Sequence, residues 1–259
     1  MCESCGCAVN GAPPQVTAAL AEEAHSVAVM QRLLALNDAE AAHNRAHFDA
    51  FGVLAVNLMS APGAGKTALL EATIDALAGE YRLGVIEGDL ETENDANRIR
   101  AKGVPAVQIT TGTACHLDAR MVHTALHQLN MAALDILFIE NVGNLVCPAA
   151  FDLGSHRNVT LLSVTEGDDK PAKYPVIFRA ADLVVLSKTD LLAVFDDFDP
   201  ARAEAALRAL ASRAAVIHTS ARKPERLAPW LDWLRREREH VRAAVSSRQA
   251  AAFAAEYGG

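Results

Sequence analysis

Three groups of residues have the types and the spacing to do chemistry. The first is Ser60-Ala-Pro-Gly-Ala-Gly-Lys-Thr67, set between a short apolar run and a helical pattern. A glycine-rich turn entering a helix offers backbone amides and the positive end of the helix dipole to phosphate oxygens. Gly63, Ala64 and Gly65 would form the cradle, with Ala68 completing it on the helix. Lys66 would neutralise the β- and γ-phosphates, and the Thr67 hydroxyl would ligate magnesium. Ser60 stands where such loops usually begin with glycine.

Such a site also needs carboxylates. Glu140 closes the apolar run Leu134–Glu140, the Walker B position, and Asp89 follows the run Leu83–Glu87 on the same sheet edge. Both are candidate magnesium ligands, and Lys66, Asp95 and Glu140 are the candidate catalytic groups. Asp95 precedes Arg98 by one turn, and a charge merely placed at a helix N-terminus is its plainer alternative. Leu186-Ser-Lys-Thr-Asp190 supplies a carboxylate that accepts from guanine N1 and N2, while the Lys188 stem lies over the base. Thr219-Ser-Ala-Arg222, with Ser220 and Ala221, reads as its supporting loop. Adenine presents the opposite donor pattern, so GTP is expected over ATP.

The other two groups are soft metal ligands. Cys2, Cys5 and Cys7 fall within six residues. Thiolates suit zinc, copper(I) or nickel. Backbone nitrogens and an amine on Cys2, once Met1 is removed, would complete a square-planar nickel site; a structural zinc knot is the alternative. Cys115-His116 and Cys147 lie in loops after Ala106–Thr110 and Leu134–Glu140. In a parallel sheet both loops leave the C-terminal edge, where ligand crevices form. Two thiolates and one imidazole make a three-ligand site with a fourth position open. Two small buried cysteines beside a surface histidine are the plainer alternative. Because Cys147 rides on the loop after Glu140, nucleotide state is expected to alter metal affinity there.

These residues need a scaffold. Apolar runs at Val53–Met59, Leu83–Glu87, Ala106–Thr110, Leu134–Glu140, Val159–Thr165, Asp182–Leu186 and Ala215–His218 predict strands. Helical patterns at Lys66–Ala78, Glu93–Lys102, Asp118–Leu129 and Pro200–Ser212 alternate with them, and Pro224 to about Glu256 reads as a closing helix. Alternation with continuously apolar strands implies an α/β P-loop NTPase fold, a mainly parallel sheet with helices on both faces. Residues 1–15 read as a metal-binding tail, 16–50 as a segment of one or two amphipathic helices, and 51–259 as the nucleotide domain. Val16, Leu20, Val27, Leu34 and Ala41 mark the apolar face of that segment, and His25, His43 and His47 read as solvated.

Composition narrows the partners. Over 259 residues the chain is 51% hydrophobic and 22% charged, which suits one large domain or two small ones. A net charge of −8 with 5% aromatics argues against nucleic acid and anionic membranes. No apolar run approaches spanning length, and no basic-then-apolar leader is apparent. A cytoplasmic location is expected, where five cysteines make a poor disulfide framework.

Cys2-Glu-Ser-Cys5-Gly-Cys7, the Ser60–Thr67 loop, Gly112-Thr-Ala-Cys-His-Leu-Asp118 and Glu140-Asn-Val-Gly-Asn-Leu-Val-Cys-Pro148 together resemble the HypB family. These are nickel-insertion GTPases of [NiFe]-hydrogenase maturation, related to the urease accessory GTPase. The resemblance implies a tight nickel site at Cys2, Cys5 and Cys7, as in some members. It implies a weaker nickel or zinc site at Cys115, His116 and Cys147, at or near a dimer interface. It places Lys66, Thr67, Asp89, Asp95 and Glu140 on phosphate and magnesium positions, and Lys188 and Asp190 on guanine positions. It further implies GTP-gated delivery of nickel to the hydrogenase large subunit with a HypA-type chaperone, by a GTP- or metal-dependent homodimer. The chain departs from the family in lacking a His-rich storage tract and in carrying Ser187 for the usual Asn. No arginine finger is assignable, so slow intrinsic turnover is expected. A urease-type or cobalamin-enzyme accessory GTPase and a metal-storage protein with a regulatory nucleotide site are the competing readings.

Overall fold

The computed structural model describes residues 14–210 and 212–257, with side chains over 27–210 and 212–247. Cys2, Cys5 and Cys7 lie outside the described residues. The elements run α1 (Pro14–Phe51), β1 (Leu54–Ser60), α2 (Lys66–Leu77), β2 (Leu83–Asp89), α3 (Asn94–Ala101), β3 (Ala106–Thr110), α4 (Ala119–Leu126) and β4 (Ile136–Glu140). Then come β5 (Arg157–Ser163), α5 (Lys170–Lys173), α6 (Pro175–Ala180), β6 (Leu183–Ser187), α7 (Pro200–Ala209), β7 (Ala215–His218) and α8 (Ala228–Tyr257). All seven predicted strands form, each within a few residues of its expected bounds. The short helices α5 and α6 were not expected; Pro171 and Pro175 sit in their first turns, where a missing N–H costs nothing.

The strands make one parallel sheet in the order β3-β2-β4-β1-β5-β6-β7. From central β1 the chain builds one flank through β2, β3 and β4, then crosses to build the other. A crevice opens at the C-terminal ends where that direction reverses, directly beyond β1. Pairing of β2 with β4 sets Glu87 opposite Glu140 at this edge.

Both faces of the sheet are covered, which is why the strands are apolar throughout. Leu69, Leu70 and Leu77 of α2 and Trp230 and Leu234 of α8 pack over one face. The buried Trp230 indole donates to Thr73 Oγ1 at 2.8 Å, so its polar edge is satisfied. Phe48 of α1 and Val122 and Leu126 of α4 cover the opposite face. Phe178 of α6 and Leu207 of α7 extend that cover over β5 and β6.

The chain divides into two compact units, Met1–Leu36 and Asn37–Gly259. In the first, Val27 of the expected apolar face is exposed, as are Met30 and Leu33. In the second, the buried positions of α1 are Asn37, Ala41, Asn44 and Phe48. Their four–three–four spacing is helical, but half of the stripe is polar. Asn37 Oδ1 accepts from Ala119 N, and Asn44 Nδ2 donates to the carbonyls of Ala119 and Leu153. Among the described residues, no helix is long and apolar enough to cross a membrane.

Candidate functional site

The loop between β1 and α2 turns through two left-handed glycines, Gly63 at φ +75° and Gly65 at φ +98°. Only glycine takes these angles without strain, and Gly65 caps α2 so that its first amides face the crevice. Lys66 Nζ donates to Ser60 Oγ at 3.1 Å and lies 4.0 Å from Glu140 Oε1. Ser60, the residue in the unusual place, therefore helps to hold the lysine. Thr67 Oγ1 donates to Glu140 Oε1 at 2.9 Å.

Glu87 and Glu140 are both buried and have carboxyl oxygens within 4.8 Å of each other and of Asp95. Burial, and then the charge of Glu140, push the Glu87 carboxyl up to about 11. Burial raises Glu140 as well, against the pull of Lys66, so the two carboxyls share a proton because two adjacent buried carboxylates cannot both ionise. Glu87 Oε2 and Glu140 Oε2 have no hydrogen-bond partner. Two orphaned buried oxygens beside a threonine hydroxyl fit a hard divalent cation such as magnesium. Asp95 accepts from Arg98 at 2.7 Å.

Asp89 lines the same cavity of about 390 Å³, which also includes Gly63, Lys66 and Thr67. Its carboxylate is committed to a turn, accepting from the amides of Leu90 and Thr92 and from Thr92 Oγ1 at 2.6 Å. Burial raises Asp89, but these hydrogen bonds and Lys66 outweigh it and leave the group below its ordinary range.

A second cavity of about 270 Å³ lies across the loop and shares Gly65 and Ala68 with the first. Ala64, Lys188, Asp190, Ser220 and Ala221 line it. Lys188, at φ +57°, is the one non-glycine in the left-handed region among the described residues. Its Nζ donates to Gly63 O at 2.7 Å, which stretches the stem across the phosphate loop. Ser187 Oγ donates to Ala64 O at 2.7 Å, binding the end of β6 to that loop. Ser220 Oγ donates to Asp190 Oδ1 at 2.6 Å and orients the carboxylate. Together the two cavities suit a triphosphate at one end and a base at the other.

Cys115, His116 and Cys147 converge at the same sheet edge, with ligand atoms within 4.8 Å of one another. Both cysteines are free thiols, and Cys115 donates to Cys147 Sγ at 2.9 Å. That contact, and then burial, raise the Cys147 thiol. His116 stacks on Phe151 at 4.0 Å, and burial lowers its imidazole, which favours the neutral, ligating form. Asn144 holds the two loops together by donating to Cys115 O while accepting from the amides of Val146 and Cys147.

The cradle and the nucleotide cleft are physically joined. Asn141, next to Glu140, accepts the amide of Leu117, next to His116, at 3.1 Å. Two residues on, a Cβ at Gly143 would lie 2.9 Å from Pro62 Cα of the phosphate loop. Only glycine permits that approach.

Residues 54–218 match the family described as CobW/HypB/UreG, nucleotide-binding domain. The hydrogenase maturation factor HypB of Azotobacter vinelandii is 52% identical over 229 residues, spanning 88% of this chain and 75% of that protein. The chain belongs to the HypB family. The Escherichia coli K12 hydrogenase maturation factor HypB is 50% identical over 202 residues, 78% of this chain and 69% of its own. A crystal structure of HypB from Helicobacter pylori in complex with nickel has a TM-score of 0.76 at 41% identity. It covers 79% of this chain and 95% of the nickel-bound one. HypB from Archaeoglobus fulgidus has a TM-score of 0.72 at 40% identity, over 78% of this chain and 98% of that one.

Within this member of the family, the predicted phosphate, base and metal residues after Ser60 fall along one sheet edge. Glu87, Asn141, Ser187 and Asn144 were not singled out as site residues. A glutamate inside an otherwise apolar strand, level with Glu140, was the available signal for Glu87. The three asparagine and serine partners act through backbone groups, and nothing in their spacing marks them.

Proposed function

We propose that this chain hydrolyses GTP and carries Ni(II) to the large subunit of a [NiFe]-hydrogenase, with nucleotide state gating release. The Asn141–Leu117 hydrogen bond carries this reading, since it links Glu140 in the nucleotide cleft to the backbone beside His116. In this reading Lys66 and the amides around Gly65 hold the β- and γ-phosphates. Thr67, Glu87 and Glu140 hold magnesium, with Asp89 lining the same cavity; the ion supplies charge neutralisation at the phosphates when bound. Asp95 and Glu140 orient the attacking water, and Asp190 and Lys188, braced by Ser220 and Ala221, read guanine. Arg98 lines this cavity but is engaged by Glu71 and Asp95 rather than free for the phosphates, so intrinsic turnover is slow.

Nickel is cargo, held by the two thiolates and the imidazole of Cys115, His116 and Cys147. Zinc fits the same donors. A change at Glu140 on hydrolysis moves Asn141, and with it the Leu117 and Cys147 segments, biasing metal affinity. Cys2, Cys5 and Cys7 form a tighter nickel site upstream. The chain acts in the cytoplasm as a GTP- or metal-dependent homodimer, with a HypA-type chaperone as partner. The Azotobacter relatives, at 51% and 52% identity, are named hydrogenase maturation factor, which supports hydrogenase as recipient; Helicobacter relatives at 45% and 40% are named hydrogenase/urease maturation factor.

The test is a nickel titration of the full chain and of a Cys2→Ser/Cys5→Ser/Cys7→Ser variant, following thiolate-to-nickel absorption with GDP and with a non-hydrolysable GTP analogue. The reading expects a tight phase lost in the variant and a weaker phase whose midpoint moves with nucleotide. A weaker phase indifferent to nucleotide overturns the gating.

A further inference from the structure

Four histidines outside both sites meet on the surface between α1 and α4. Sequence spacing makes His43 and His47 an i,i+4 pair that reads as solvated; both stay at the surface, but not alone. α4 supplies a second i,i+4 pair, His123 and His127, directly opposite. Nε2 of His43 and Nε2 of His47 are 3.1 Å apart, and those of His123 and His127 are 3.2 Å apart. Across the helices, ring centroids are 4.7 Å apart for His43–His123 and 5.5 Å for His47–His123. Glu40 Oε1 lies 3.8 Å from His123 Nδ1, and ligand atoms of Glu40, His43 and His123 fall within 4.8 Å of one another.

The His43–His47, His123–His127 and His43–His123 separations are those of imidazoles sharing one ion, with the His47 ring at the rim, 5.5 Å from His123 and 6.3 Å from His127. At a metal–nitrogen bond of about 2.0–2.1 Å, neighbouring ligand nitrogens stand roughly 3.0–3.4 Å apart and their ring centroids roughly 4.5–5.2 Å. The tautomer is also fixed for ligation. Asn44 spends its amide N–H groups on the carbonyls of Ala119 and Leu153, so its oxygen must be what faces His123 Nδ1 at 3.1 Å. His123 therefore carries its proton on Nδ1 and turns an unprotonated Nε2 toward His127. A buried asparagine that orients a ring in this way is the outer partner expected behind a ligating histidine.

We infer that Glu40, His43, His47, His123 and His127 form a second, thiol-free binding site for a late first-row divalent cation, bridging α1 and α4. Neutral imidazoles with one carboxylate suit Zn(II), Ni(II) or Cu(II) and are too soft for magnesium or calcium. The site shares no residue with the Cys115–His116–Cys147 cradle or the nucleotide cleft, so it stands or falls apart from the proposed function. α1 contributes Glu40, His43 and His47, and α4 with its C-terminal cap contributes His123 and His127, so binding ties α4, which begins just after His116, to α1.

The experiment is equilibrium dialysis of Zn(II) and Ni(II) against the full chain with all five cysteines changed to serine. About one equivalent of metal should remain bound. Adding His47→Gln and His127→Gln, both away from the buried Asn44 contact, should weaken it by about tenfold or more. As a check on the unmodified chain, Zn(II) should protect His43, His47 and His127 from diethyl pyrocarbonate, read by peptide mass spectrometry. Cysteine-free chain that binds no metal, or binds equally with the glutamines in place, overturns the site; so does modification of these histidines at the same rate with and without Zn(II).

Discussion

The phosphate end of the cleft and the thiol–imidazole cradle leave the same sheet edge, yet they are built in opposite ways. At the phosphate end the polar and charged groups are buried or already engaged: Lys66 with Ser60, Thr67 with Glu140, Glu87 with Glu140 and Asp95 with Arg98. The cradle is half-exposed and ordered chiefly by Asn144 and Phe151. Fixed dipoles and charges stabilise a reacting phosphate because they need no rearrangement at the moment of reaction. A cargo ion needs the reverse, ligands close enough to hold it and loose enough to be exchanged. The difference teaches where this molecule is rigid by design and where it is built to let go.

The sharpest way to break that comparison is Lys66→Ala. It should lower GTP hydrolysis by about 100-fold or more while leaving the nickel stoichiometry of Cys115, His116 and Cys147 intact. Phosphate release and dialysis measure the two quantities on one preparation. If metal loading falls together with hydrolysis, the cradle is not separately built. The converse change, Cys147→Ser, should weaken nickel binding in the Cys2→Ser/Cys5→Ser/Cys7→Ser background by about tenfold or more. Hydrolysis without nickel should be unchanged.

Much of this was legible because both sites are spelled by local segments. Ser60–Thr67 is one turn between a strand and a helix, and a parallel sheet brings the ends of β3 and β4 to one edge, so Cys115 and Cys147 had to meet. What could not be read was pairing between segments. Glu87 is not legible beside Asp89, because only strand register places Glu87 level with Glu140. The buried stripe of α1 was misread because two of its members are asparagines, Asn37 and Asn44, which bury only by satisfying backbone groups of the α4 region. The histidine cluster stayed hidden for the same reason, as half of it comes from another helix.

A smaller effect tests the join between the two regions. Asn141→Ala removes the acceptor for the Leu117 amide, so the nucleotide-dependent change in nickel affinity should collapse toward none. Couplings of this kind commonly span about 5- to 150-fold. Nickel titrations with GDP and with a GTP analogue give the ratio, and thermal melting shows whether the variant remains folded. A folded Asn141→Ala chain with the full nucleotide effect would mean that the signal travels through Gly143 and Pro62 instead.

A last test concerns the proton shared by Glu87 and Glu140. The Glu87 carboxyl is pushed up to about 11, from an ordinary 4.5, by burial and then by Glu140. The nucleotide-free folded chain therefore binds one more proton than the unfolded chain across neutral pH. Stability from this group is fully present below about pH 4.5 and is lost as pH rises toward 11, with a slope of about 1.4 kcal/mol per pH unit. Glu87→Gln keeps the shape and cannot ionise, so its stability should fall less between pH 6 and pH 8 than that of the parent chain. Urea titrations at the two pH values, without nucleotide or divalent cation, measure the difference. Equal slopes would place the shared proton elsewhere and make the phosphate end less pre-set than its geometry indicates. A shallower slope in the glutamine variant would tie the electrostatics of the cleft to one protonated carboxyl, which a divalent cation must displace on binding.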